Sequence, residues 1–389
     1  MRERLVGGRS LPEDAAQAVL VGRAYLPDAD GPAVCAVRDG ALWDLSRIAP
    51  TVSALLEFEH PARTVAAARD VPRIGALDDV LANTPAGTRD ASRPWLLAPC
   101  DLQAVKAAGV TFVASMLERV IEEQARGDPA RAQGVRRAIA GILGDDLAAV
   151  RPGSPEAARV KDVLLAQNAW SQYLEVGIGP DAEIFTKAQP MSSVGTGADI
   201  GIHPKSAWNN PEPEVVLFAT SRGTVAGAAL GNDVNLRDVE GRSALLLGKA
   251  KDNNASCAIG PFVRLFDDRF GIDDVRSAEI RLRVEGGDGF VLDGASSMAK
   301  ISRDPLDLVA QAVGAHHQYP DGFVLFCGTM FAPVQDRHGP GQGFTHEVGD
   351  VVTIATPRLG ALVNRVDHTD AIAPWTFGTA ALMRNLAKR

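Results

Sequence analysis

From Leu174 to its C-terminus the chain is written in short apolar runs, EVVLFAT, TVAGAAL, AEIRLRV, FVLFCGTM and VVTIAT, each closed by a glycine-containing turn. Runs of this length, rich in β-branched residues and punctuated by turns, predict strands. One stretch among them, DPLDLVAQAVGAHH, has helical spacing instead. Strands and ten-residue helices do not alternate, so a doubly wound parallel sheet is excluded and a mostly β, α+β architecture is expected.

The rest of the chain changes character twice. Residues 18–46, AVLVGRAYLPDADGPAVCAVRDGALWDLS, again use strand-and-turn language and predict a small β-rich N-terminal domain over residues 1–95. Beyond it, within a catalytic domain expected over 96–389, SMLERVIEEQARGDPARAQGVRRAIAGIL and SPEAARVKDVLLAQNAWSQYL carry apolar residues three and four apart. That period predicts a helical insertion over about 115–173, with Ser154 as an N-cap and Pro155 at a first helical position.

Composition narrows the function. The formal net charge is −8 and 46% of the 389 residues are hydrophobic, a globular composition without the clustered Lys and Arg of a nucleic-acid binder. No run of about 18 apolar residues occurs, and MRERLVGGRS lacks the apolar core of a signal peptide. No membrane or nucleic-acid partner is therefore expected, and the expected location is cytoplasmic. Cys35, Cys100, Cys257 and Cys327 are widely spaced and read as buried free thiols.

The densest chemistry lies in WNNPEPEVVLFATSRGTVAGAALGNDVNLRD. Residues two apart on a strand face the same way, so Glu212 and Glu214 project together, and Pro213 between them belongs at a strand start. A turn at SRG sends the next strand back toward the pair and brings Asp233 with it. Three carboxylates held together repel unless a cation lies among them, and oxygen donors suit Mg²⁺, with Mn²⁺ or Ca²⁺ as alternatives. Other signals are poorer. GTGADIG lacks dinucleotide-binding spacing, His316-His317 reads as surface, and the glycine-dense DRHGPGQGF reads as a turn-rich loop.

Taken with these acids, EPEVVL, GAALGNDVNLRD, KAKDNNASCAIGP, AEIFTKAQPMSSVG, LFCGTMFAP and GFTHEVGDVVTIATPRLGALVNRV resemble the fumarylacetoacetate hydrolase family, in the family's order, from about Asp101 onward. The resemblance implies a mixed β-sandwich or β-roll catalytic domain, usually a homodimer or homotetramer, with a small-molecule 2-keto acid as substrate. It implies that Glu212, Glu214 and Asp233 bind Mg²⁺, that Lys251 lies in the pocket, and that Lys187, Thr329, Arg237 and Ser193 approach the substrate.

One departure selects a branch. The family's hydrolases carry G-x-N-Y-x-x-H-x-x-E, whose His and Glu activate water; this chain reads GVTFVASMLE, with Ser115 at the histidine position and Glu118 retained. The missing imidazole points to the branch that dehydrates 2-keto-3-deoxy sugar acids, most like the 2-keto-3-deoxy-pentonate (xylonate or arabinonate) dehydratases of non-phosphorylative pentose catabolism. Such a reaction needs a base at C3, a metal and an acid at the leaving C4 hydroxyl; Glu118 and Lys251 are the candidates, in either assignment. Glu118 is expected near a helix N-terminus, where its ionised form is favoured. The alternatives are an acylpyruvate C–C hydrolase using another base and a non-catalytic metal-binding protein.

Overall fold

A computed structural model describes the chain except for residues 127, 129–130, 133–149, 167–169 and 331–332, together with the side chains of Arg2, Ala114 and Ser115. Two β-sheets face one another. The larger has eleven strands, in the order β4 (Arg73–Ala76), β3 (Ala41–Asp44), β2 (Gly31–Arg38), β1 (Leu20–Leu26), β13 (Cys257–Leu265), β11 (Val225–Asp233), β10 (Pro213–Ala219), β16 (Phe323–Phe326), β6 (Ala104–Gly109) and β7 (Glu183–Ala188), with β5 (Trp95–Leu97) pairing β1. The smaller has the order β15 (Val291–Ser297), β14 (Glu279–Glu285), β17 (Val351–Thr356), β18 (Gly360–His368) and β8 (Asp199–Ile202). The pairings are antiparallel except β16 with β6 and β18 with β8.

The alternation of β10 explains the layering. Val215, Leu217 and Ala219 pack with Ile280, Leu282 and Val284 of β14 and Val352 and Ile354 of β17, which makes the core between the sheets. Val216 and Phe218 point the other way and are covered by Val52, Leu55, Leu56 and Val65 from the short Val52–Leu56 and Pro61–Ala67 helices. Residues Leu20 to Ala76 thus extend the large sheet through β1 and β13 and also roof one of its faces. The four cysteines are buried and free.

The expected strands are present, and Pro213 opens β10, where its missing N–H costs no ladder bond. The insertion contains the Val113–Ala125, Pro155–Ala166 and Gln172–Ile178 helices; most of its middle, 133–149, lies outside the described residues. Ser154 accepts from the Ala157 N–H at 3.1 Å, as a cap before Pro155 should. The later helix is shorter than its spacing predicts: it runs Pro305–Ala312, and His316 and His317 are exposed beyond it.

Candidate metal and acid–base site

The acids are assembled by strand register. Pro213 lies opposite Asn232 and Glu214 opposite Gly231 on the β10–β11 ribbon. The same register continues into the short pair β9 (Asn209–Asn210) and β12 (Asn235–Leu236), where Asn210 faces Asn235. Glu212 therefore stands opposite Asp233, whose N–H donates to the Glu212 carbonyl at 3.1 Å. Glu212, Glu214 and Asp233 share the ribbon face that carries Val216 and Phe218, and they cap its apolar row with charge.

One oxygen from each of the three carboxylates lies within 4.8 Å of the others, and all three residues are buried. Gly328 donates its N–H to Glu214 at 2.7 Å. That amide is brought in by a backbone with φ of +100° that packs against Thr111, so a side chain there would be strained and would clash. Thr329, the next residue, is buried beside this turn.

Cations answer some of this charge. Lys251 bonds Glu212 and lies 3.2 Å from Asp233. Lys187, fully buried, meets Asp233 at 2.9 Å and the Val234 carbonyl at 3.3 Å, and also bonds the Lys251 carbonyl. Burial alone would raise the Asp233 pKa, but the two ammonium groups hold it below its ordinary value. Burial also works against the Lys251 charge, and Asp233, Glu212 and Glu240 outweigh it, so its pKa is raised. Glu214 makes no ion pair among the described residues: burial, then the charges of Asp233 and Glu212, push its pKa well above the carboxylate range against the weaker pull of Lys251.

The Val113–Ala125 helix closes the site from the other side. Glu118 is its sixth residue, past the first turn, so the expected support from the helix N-terminus is not what holds it. Its partner is instead Arg237, at 3.1 Å. Arg237 also binds Glu122 at 2.6 Å and lies over the Trp208 ring at 4.3 Å. The sequence reading singled out none of Arg119, Glu122 and Glu240, yet all three are buried here. Arg119 bonds Glu212, and lies 2.8 Å from both Glu122 and Glu240. Burial raises the Glu240 pKa to about 7 against the pull of Arg119 and Lys251. The helical spacing of Glu118, Arg119 and Glu122 in LERVIEE was the available signal.

The remaining sequence candidates lie in different places. Ser115 is on the same helix, one turn before Glu118, and its side chain lies outside the described residues. Ser193 is one strand over, with its hydroxyl 3.4 Å from Cys257 Sγ, and Cys257 pairs opposite Asp233.

Among the described residues the cluster holds six carboxylates (Glu118, Glu122, Glu212, Glu214, Asp233, Glu240) and four cations (Arg119, Lys187, Arg237, Lys251). Acids outnumber cations, and Glu214 and Glu240, with Glu183 nearby, carry the electrostatic cost. Three convergent carboxylate oxygens with an excess of negative charge fit a hard divalent cation.

Comparison with known proteins agrees with this architecture. Residues 179–367 match the fumarylacetoacetate (FAA) hydrolase C-terminal family. A probable 2-keto-3-deoxyxylonate dehydratase of Haloferax volcanii is 31% identical over 194 residues, 50% of this chain and 63% of its own length. A 2-dehydro-3-deoxy-D-arabinonate dehydratase of Saccharolobus solfataricus is 30% identical over 184 residues, 47% of this chain and 58% of its own length. The chain thus spans less than two thirds of either relative.

Among solved structures, 2-keto-3-deoxy-D-arabinonate dehydratase complexed with magnesium and 2,5-dioxopentanoate superposes with a TM-score of 0.60 at 20% identity, covering 90% of this chain and 99% of that one. A fumarylacetoacetate hydrolase from psychrophilic Exiguobacterium antarcticum gives 0.54 at 16% identity, covering 90% and 100%. At these identities the likeness is one of fold, and that fold is the α+β architecture expected from the strand pattern and the hydrolase-like one implied by the resemblance. Among the described residues no helix is long and apolar enough to cross a membrane.

Proposed function

We propose that this protein is a magnesium-dependent dehydratase that converts a 2-keto-3-deoxy-pentonate to 2,5-dioxopentanoate, a step of non-phosphorylative pentose catabolism. The observation that carries the reading is the buried rung of Glu212, Glu214 and Asp233, which Lys251 contacts directly and to which Glu118 is linked through Arg237, Glu122 and Arg119. The names and sequence likeness of the two curated dehydratases support it. So does Ser115, which stands where the family's hydrolases have the water-activating histidine. In this reading residues 96–389 hold the catalytic unit, residues 1–95 form a β-rich N-terminal unit, and the protein works as a homodimer or homotetramer.

Glu212, Glu214 and Asp233 would hold the magnesium ion. When bound it supplies Lewis-acid stabilisation of the negative charge that develops on a 2-keto acid as the C3 proton leaves. The chain's own groups do the rest. Glu118, whose side chain is 15% exposed, is the carboxylate with access to substrate and takes the C3 proton. Lys251, already donating to two carboxylates, gives a proton to the departing C4 hydroxyl, which leaves as water. Tautomerisation through the C5 hydroxyl then yields the aldehyde. Lys187, Arg237, Thr329 and Ser193 are the proposed substrate-binding positions; Lys187 and Arg237 would act chiefly through the carboxylates they hold.

The test is a product assay. Purified protein with Mg²⁺ is offered a panel of 2-keto-3-deoxy acids, with aldehyde formation followed through a coupled aldehyde dehydrogenase, and acylpyruvates are run in parallel. Aldehyde from the pentonates is expected. Rapid pyruvate release from acylpyruvates, with nothing from the sugar acids, would overturn the reading in favour of a hydrolase.

A further inference from the structure

One guanidinium on the Val113–Ala125 helix, that of Arg119, reaches the ribbon that carries the three acids. Arg119 is 9% exposed and reaches carboxylates on three separate elements: Glu122 one turn along its own helix, Glu212 beside the first residue of β10, and Glu240 on the Arg237–Glu240 helix. No motif in the sequence marks it. Its reach matters because of how Glu212 is held. One oxygen of that carboxylate, Oε1, is bonded by Arg119, and the other, Oε2, by Lys251. With a cation on each oxygen, the rotation of the carboxyl group is restrained. A second consequence follows through Glu122, which shares its oxygens between Arg119 and Arg237, while Arg237 binds Glu118. Glu212, Arg119, Glu122, Arg237 and Glu118 thus form one unbroken chain of charge-assisted bonds from a metal-ligating carboxylate to the proposed base.

We propose that Arg119 is a positioning residue, which sets the orientation of Glu212 toward the cation and, through Glu122 and Arg237, the distance of Glu118 from it. The proposal rests on the assignment of Glu212 as a magnesium ligand and of Glu118 as the base. A planar fork of five donors can serve three carboxylates at fixed angles, and a lysine's single ammonium cannot. Outer-shell partners that orient ligating carboxylates characteristically matter about 10- to 100-fold in metal affinity or activity.

The experiment compares Arg119→Gln and Arg119→Lys with wild type by Mg²⁺ calorimetry without substrate, by thermal midpoint, and by the split of kcat from KM. Arg119→Lys keeps the buried charge and carries the test if Arg119→Gln does not fold. For Arg119→Lys we expect a thermal midpoint close to wild type, Mg²⁺ affinity lowered about 10-fold or more, and kcat lowered with KM less affected. Arg119→Lys with Mg²⁺ affinity and kcat both within about threefold of wild type would overturn the proposal. Failure of the dehydratase reading looks different: wild type would bind Mg²⁺, the variants would lose that affinity, and no sugar acid would be turned over by any of them.

Discussion

Of the buried charge clusters among the described residues, the one around Asp350 is self-sufficient and the one around Glu212 is not. In the loop after β16, Asp350 receives both terminal nitrogens of Arg337 at 2.7 and 2.8 Å, the Glu347 N–H at 3.0 Å and a His346 nitrogen at 3.1 Å. Arg337 is 1% exposed, reaches Asp288 at 3.1 Å and lies over the Phe290 ring at 4.8 Å. Burial would raise the Asp350 pKa, but these donors bring it down to about 2. The site around Glu212 is also buried, yet three of its carboxylates converge on one point and Glu214 is pushed the other way. The difference teaches how to separate structural from functional charge: a satisfied pair closes a loop, and an excess of one sign leaves work for a ligand.

The largest effect should come from the unbalanced cluster. Glu214→Gln removes a ligand and a repelling charge together, so turnover should fall by roughly 10³-fold or more while the metal-free protein stays folded. Steady-state kinetics and circular dichroism read the two halves of that statement; residual activity near wild type would make Glu214 a bystander. Next is Glu118→Gln, which should lower kcat by about 10²- to 10⁴-fold, the usual worth of a positioned base, without moving the thermal midpoint. A variant within about threefold of wild type would return the base assignment to Lys251.

The balanced cluster should behave in the opposite sense. Asp350→Ala strands Arg337 in the interior and should cost about 3–5 kcal/mol of stability by urea unfolding. The acid-stability profile gives a smaller effect of known sign. Asp350 has a folded pKa below its unfolded one, so its contribution is present above about pH 4 and is lost as the pH falls toward 2. Burial lowers the His346 pKa against the pull of Asp350, so its neutral form is favoured and its contribution fades as the pH drops below about 6.5. Both terms make acid destabilising, and His346→Gln should flatten the decline that sets in below about pH 6.5 in urea midpoints; an unchanged slope would remove His346 from the cause.

Much of this was legible before the structure. Glu212 and Glu214 were readable because a strand's period is two and because Pro213 could only open β10; Asp233 followed from the turn at 221–223. Ser154 announced its helix through cap chemistry alone. The helix-borne half of the site was not legible in the same way. Arg119, Glu122 and Glu240 look like the polar face of exposed helices, and only the docking of the Val113–Ala125 helix against the Arg237–Glu240 helix buries them. Glu118 was found for its place in a motif, but the helix starts at Val113, so Glu118 lies past the first turn and meets Arg237 rather than the helix terminus. Tertiary contacts between charged side chains leave no period in the sequence, and strand alternation does.

The contrast between the two clusters comes down to which of them binds a cation. Calorimetric titration of metal-free wild type, Glu214→Gln and Asp350→Asn with Mg²⁺ measures that directly. One bound ion per chain is expected in wild type, retained in Asp350→Asn and lost or severely weakened in Glu214→Gln; equal Mg²⁺ binding by wild type and Glu214→Gln would contradict the account.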